Sequence, residues 1–125
     1  MTVADGSDSA SPIDGQAFLV AAAKASVDPG TLSALLGRVQ ADLAGRRGDY
    51  RRAFERVGAA DERELFLVPA DHWEAIGDRL GLDRRERDAV ARAHAAQLRR
   101  LGSATDRRDE FETALEIRAA VVIGR

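Results

Sequence analysis

Two histidines, His72 and His94, are the side chains in this sequence best suited to acid–base or metal chemistry near neutral pH. Neither stands in an ExxH or HExxH spacing, so any metal site would draw most of its ligands from carboxylates. His72 falls in the first turn of an expected helix beside Trp73 and reads as an exposed or partly covered polar group. His94 shares a helical face with Val90, Leu98 and Leu101, which suits a buried imidazole with one hydrogen-bond partner better than a ligand. Glu112 and Glu116 lie one helical turn apart and could share a proton or a cation, but no second helix supplies matching carboxylates or histidines. No serine sits in a nucleophile-elbow context, and the glycines are scattered singly, so they make no phosphate cradle. The absence of cysteine removes disulfides, thiolate zinc sites and a thiol nucleophile. No catalytic residue, cofactor or metal site is expected, and an enzyme is the less favoured class.

The other side chains with chemical reach are arginines. Ile76, Leu80, Gly81, Leu82 and Asp83 resemble the first helix, turn glycine and cap of the helix-turn-helix family, over about a dozen residues. The resemblance implies a small nucleic-acid-binding regulator spanning residues 72–101, with Arg84, Arg85, Arg87 and Arg92 on phosphates. The sequence departs from the family at Arg87, where the second helix would present an apolar residue to the first, and the helix running to Leu101 is longer than a recognition helix. A second group, Arg46, Arg47, Arg51, Arg52 and Arg56, spreads around a helical wheel among Asp49 and Glu55, as a solvated face with local ion pairs does.

These residues sit in a chain of 125, long enough to bury a core without metals or disulfides. The net charge of −2 conceals segregation. Residues 46–57 and 84–101 are arginine-rich, whereas Asp61, Glu62, Glu64, Asp71, Glu74, Asp78 and Asp83 lie between them, so basic helices could find their partners within the same protein. The longest apolar run, Ala17 to Ala23, is too short to span a bilayer, and no basic segment precedes it as in a signal peptide, so a cytoplasmic home is expected.

The first ten residues, small and polar, are expected to form a disordered tail, with one helical domain over 11–125. Ser11 with Pro12 and Asp28 with Pro29 each read as a cap followed by proline at the first helical position. Leu32, Leu36, Val39, Leu43, Tyr50, Ala53 and Val57 then follow a near-heptad seam that one long helix could carry, unless Gly45 and Gly48 kink or break it. Asp71 with Glu74, and Asp83 with Glu86, have capping-box spacing; Gly81 and Gly102 are placed to end helices, and a last helix starts near Asp106. The similar runs Arg47 to Glu55 and Arg108 to Glu116 are what two amphipathic helices opened by arginine produce without duplication. Leu65 to Val68, closed by Pro69, suits a strand or an extended connector; any sheet would join it to Val121, Val122 and Ile123.

The expected fold is therefore all-α: a small bundle of four to five helices, antiparallel where the links are short. The expected function is a non-enzymatic helical interaction module that binds another protein or itself, as in a homodimer. Phe18, Leu19, the seam, Trp73 and residues 121–123 offer more apolar surface than a small bundle needs.

Overall fold

The computed structural model describes residues 12–60 and 62–124. The elements run α1 (Gly15–Lys24), α2 (Pro29–Ala44), α3 (Arg47–Ala53), β1 (Glu55–Ala60), β2 (Arg63–Pro69), α4 (His72–Leu80), α5 (Arg84–Thr105), α6 (Arg108–Leu115) and β3 (Arg118–Gly124). The expected tail and the Ser11 cap lie outside the described residues.

An all-α bundle of four to five helices is overturned: six helices and three strands are present among the described residues, an α+β fold. The sheet is antiparallel with order β1-β2-β3. Its β2–β3 half joins the two apolar runs, with Leu65 opposite Val122 and Phe66 opposite Val121. Five successive residues of β2, Glu64 to Val68, are buried, so neither face of this central strand meets water. A strand buried on both faces reads as a continuous run without alternation, and its periodicity does not separate it from a buried helical turn.

The third strand is the larger departure. Val57, expected at the end of a helical seam, lies in β1, where the register against β2 shifts between Arg56 and Gly58. Ala53, also assigned to the seam, is exposed at the end of α3. At position 58 the bare Cα lets Leu101 of α5 pack closely, since a Cβ there would overlap Leu101 Cδ2 unless that side chain shifted.

The rest of the seam is internal. Leu32, Leu36, Val39, Leu43 and Tyr50 are all buried, and the helix breaks where the glycines stand, with Gly45 closing α2 before α3 begins. Helix α5 is the axis of the molecule, packed against α1, α2, α4, α6 and β3. Asp83 and Glu86 form the expected capping box, and Gly81 takes the left-handed conformation that closes α4. Asp71, by contrast, makes no side-chain cap, and α1 is capped by Asp14, which accepts the Ala17 N–H at 2.9 Å. Gly102 does not end α5, which runs to Thr105; it lies within the helix, where its bare Cα lets the Phe111 ring and the Arg108 backbone approach.

The outer edge of β3 is closed by side chains instead of a fourth strand. Trp73 Nε1–H donates to the Ala120 carbonyl at 3.0 Å, His94 Nδ1 accepts from Val122 N–H at 2.9 Å, and Gln40 Oε1 accepts from Gly124 N–H at 2.7 Å. Arg47 donates to the Gly124 carbonyl at 2.8 Å. Covering an edge in this way satisfies its polar groups and denies it to other strands.

Candidate functional site

Small residues let α1 lie close to α5. Ala17 and Ala21 face inward and are buried, as are Ala93 and Ala96 on α5. Phe18 packs partly against the core, and Leu19 and Val20 are left 62% and 51% exposed. Beside them a cleft runs along α5, flanked by α1 on one side and by α6 and the start of β3 on the other. Its deeper part, about 370 Å³, reaches Trp73 and Ala120; a shallower continuation of about 560 Å³ reaches Arg108 and Ser103. Val20, Lys24, Ala96 and Arg99 belong to both parts.

The walls are alanine-rich and the rim is cationic, with Lys24, Arg92, Arg99, Arg100, Arg108 and Arg118 around it. Some of these charges are engaged. Arg99 meets Glu112 at 3.2 Å, Arg100 meets Asp14 at 2.8 Å and Arg118 meets Glu55 at 2.9 Å. Arg92 donates to the Lys24 carbonyl at 2.9 Å. Lys24, the only lysine in the chain, and Arg108 have no ion-pair partner among the described residues. The Asp14 carboxyl is held below its usual range: partial burial raises its pKa, and the Ala17 N–H, Arg100 and Gln97 together outweigh that.

The helix-turn-helix arginines are only partly together. Arg84 and Arg85 stand exposed in the first turn of α5 and share a shallow recess with Arg92, whereas Arg87 packs its side chain over Gly77 and meets Asp88 at 3.6 Å. Beyond that turn Ala89, Val90, Ala93 and His94 are buried. Residues 46–56 divide differently: Arg51 and Arg56 hold Glu64, whose side chain is fully buried in β2, and Arg46 joins Arg79 on Asp42. The pairing of Arg52 with Asp49 is the local ion pair expected of a solvated face.

A family model described as a domain of unknown function, DUF8048, matches residues 11–125. The chain belongs to that family. No curated protein and no solved structure matches it. In this DUF8048 domain the histidines are engaged in structural contacts. Burial pushes the His94 pKa down to about 3, so the ring is neutral; with Nδ1 accepting from Val122, its proton is on Nε2. Trp73 covers it edge to face at 4.7 Å. His72 Nε2 lies 2.5 Å from the Tyr50 hydroxyl, and Phe54 packs on the imidazole. Burial first, then the nearby Arg79, lowers the His72 pKa, while burial raises that of Tyr50 to about 12. Tyr50 therefore donates and His72 accepts. Among the described residues no group of three or more carboxylates or histidines could hold a metal ion, and no helix is long and apolar enough to cross a membrane.

The cleft was not legible in the sequence, because its residues come from five separated elements. One signal was present: Arg92 and Arg99 are seven residues apart, on one face of a long helix, with alanines at 91, 95 and 96 between and beside them. That face reads as ordinary amphipathic helix until α1 and α6 are placed alongside it.

Proposed function

We propose that this domain is a non-enzymatic interaction module of the cytoplasm that docks a protein partner on the face formed by α1, α5 and α6. The observation that carries this reading is the orientation of α1, which turns alanines inward and leaves Leu19 and Val20 exposed beside a cleft ringed by cations. An apolar patch with a polar rim is the common anatomy of a docking surface. Ile117, 73% exposed, lies in the turn between α6 and β3 at the edge of the same face. The seam expected to supply association, Leu32 to Val57, is instead consumed by the core except at the exposed Ala53, so the reading rests on α1.

The test is a double variant, Leu19→Glu with Val20→Glu, compared with the wild-type chain. The variant should keep the parent's circular dichroism and melting temperature, since both positions face water, but lose association and partner enrichment. Equal association and enrichment by both proteins would remove the basis of the reading.

The second reading, a nucleic-acid-binding regulator, is supported by Arg84 and Arg85 standing exposed beside Arg92. It is weakened by Arg87 lying over Gly77 and by the inner face of α5, Ala89, Val90, Ala93 and His94, being packed in the core. DNA affinity that collapses between low and moderate salt, and that falls on Arg84→Ala with Arg85→Ala, would favour it over docking.

A further inference from the structure

The acidic segment noted between the arginine-rich stretches is only partly neutralised within the fold. Glu64 takes Arg51 and Arg56. Asp71, Glu74 and Asp78 remain exposed, with no side-chain ion pair among the described residues. Their spacing of three and then four residues places them in one stripe along α4. On the other side of the charge balance, Lys24 and Arg108 in the cleft have no ion-pair partner among the described residues.

The two features match in length. Arg92 and Arg99, seven residues apart on the cleft side of α5, are separated by about 10 Å along the axis, and Asp78 on α4 and Asp71, which precedes its first turn, are spaced similarly. Glu74 lies between its two acidic partners in sequence, and Lys24 lines the cleft with both arginines. Small side chains line this cleft, with Ala91, Ala95 and Ala119 on its walls, so a helix carrying Ala75 between its acids can approach closely.

From this we infer that the partner seated on the cleft is a second copy of the chain, which inserts the acidic stripe of α4 between α1 and α6. The inference rests on the docking reading above and names the occupant of that same face. Each copy carries both the stripe and the cleft, so a two-fold arrangement makes the contact twice. The association is driven by opposite charges near water and therefore weakens with salt.

Sedimentation velocity of the full chain, from about 5 to 500 µM, tests it with two charge-reversed proteins. One carries Lys24→Glu and Arg99→Glu, the other Glu74→Lys and Asp78→Lys; all four sites are exposed, and circular dichroism checks that both proteins fold. The milder Arg99→Gln and Asp78→Asn should give the same ranking if either double variant fails to fold. The wild-type chain should self-associate at low salt and dissociate at high salt. Each reversed protein alone should associate at least tenfold more weakly, and an equimolar mixture should recover association, because the reversed cleft then faces the reversed stripe. A wild-type chain that stays monomeric overturns the second copy while leaving the docking reading to its own Leu19 and Val20 test. Association that survives both reversals, or a mixture that recovers nothing, overturns the proposed contact.

Discussion

His94 Nδ1 accepts the Val122 N–H at 2.9 Å, so a buried imidazole on α5 closes the open edge of β3 at its centre. The ring is 2% exposed and stacked edge to face on Trp73, which caps the same edge two residues away at Ala120. Helix and sheet are thereby joined by hydrogen bonds as well as by apolar packing. Replacing His94 by leucine keeps much of the volume but leaves the Val122 N–H unsatisfied, which costs about 1 to 3 kcal/mol. Thermal melting should show the loss, and a melting temperature equal to the parent's would mean that this bond is dispensable.

The same imidazole makes stability depend on pH. Its folded pKa of about 3 lies below the ordinary 6.5, because burial disfavours the charged ring. Between those values the unfolded chain takes up a proton and the folded one does not. The contribution is thus fully present above pH 6.5 and is lost progressively as pH falls toward 3, at up to about 1.4 kcal/mol per pH unit. His72, also lowered by burial, acts in the same direction. Urea melts at pH 7 and pH 5 should differ in the wild-type chain, with a smaller difference in His94→Leu; equal differences would assign the pH dependence to other groups.

Glu64 and Arg51 should respond unequally to substitution. The carboxylate is fully buried, while the side chain of Arg51 is 51% exposed. Glu64→Gln leaves two arginines that water can solvate, whereas Arg51→Met leaves a buried carboxylate with less compensation. Arg51→Met should therefore be the more destabilising of the two in chemical denaturation. The reverse ranking would show that the buried charge is held mainly by its other contacts.

Two helix glycines predict opposite signs. A Cβ on Gly102 would stand 2.9 Å from the Phe111 ring and 3.2 Å from the Arg108 Cα, and the backbone cannot give way as a flexible side chain does. Gly102→Ala should cost about 1 to 3 kcal/mol through this overpacking, despite the better helix propensity of alanine. At Gly37 a Cβ meets nothing within 4 Å, so Gly37→Ala should stabilise by about 0.5 to 1 kcal/mol. Melting both variants side by side checks the pair, and a gain at Gly102 would contradict the close approach of α6 to α5.

Leu43 and Arg52 separate the interior of the first half of the chain from its surface. Leu43 is completely buried near the end of α2, and the side chain of Arg52 is 74% exposed on α3. Leu43→Ala should cost about 2 to 5 kcal/mol and Arg52→Ala a few tenths at most. Comparable melting temperatures for the two would show that α2 does not organise the core.

Much of the helical half of this fold was written locally. Asp28 with Pro29, Gly81, and Asp83 with Glu86 set helix boundaries through backbone chemistry that acts within a few residues, and the sequence alone was enough to place them, whereas at Gly45 the sequence admits a kinked or broken helix as well as a continuous one. Leu32, Leu36, Val39 and Leu43 declared their buried face by spacing, as His94 did beside Val90 and Leu98. The sheet was decided by tertiary structure. Leu65 to Val68 is buried on both faces and shows no alternation, its partner Val122 lies more than fifty residues away, and β1 carries Gly58 and Ala59, whose own preference is not for strand. Strand pairing, burial in the shared core, the packing of Leu101 against Gly58 and the side chains from α2, α3, α4 and α5 that close the edge of β3 together hold those strands. The cleft belongs to the same category, since Lys24, Arg92 and Arg99 become one cationic rim only after α1 has been laid against α5 by its alanines. Local chemistry reaches a few residues along the chain, and contacts between distant segments gain their free energy only once the whole core is assembled.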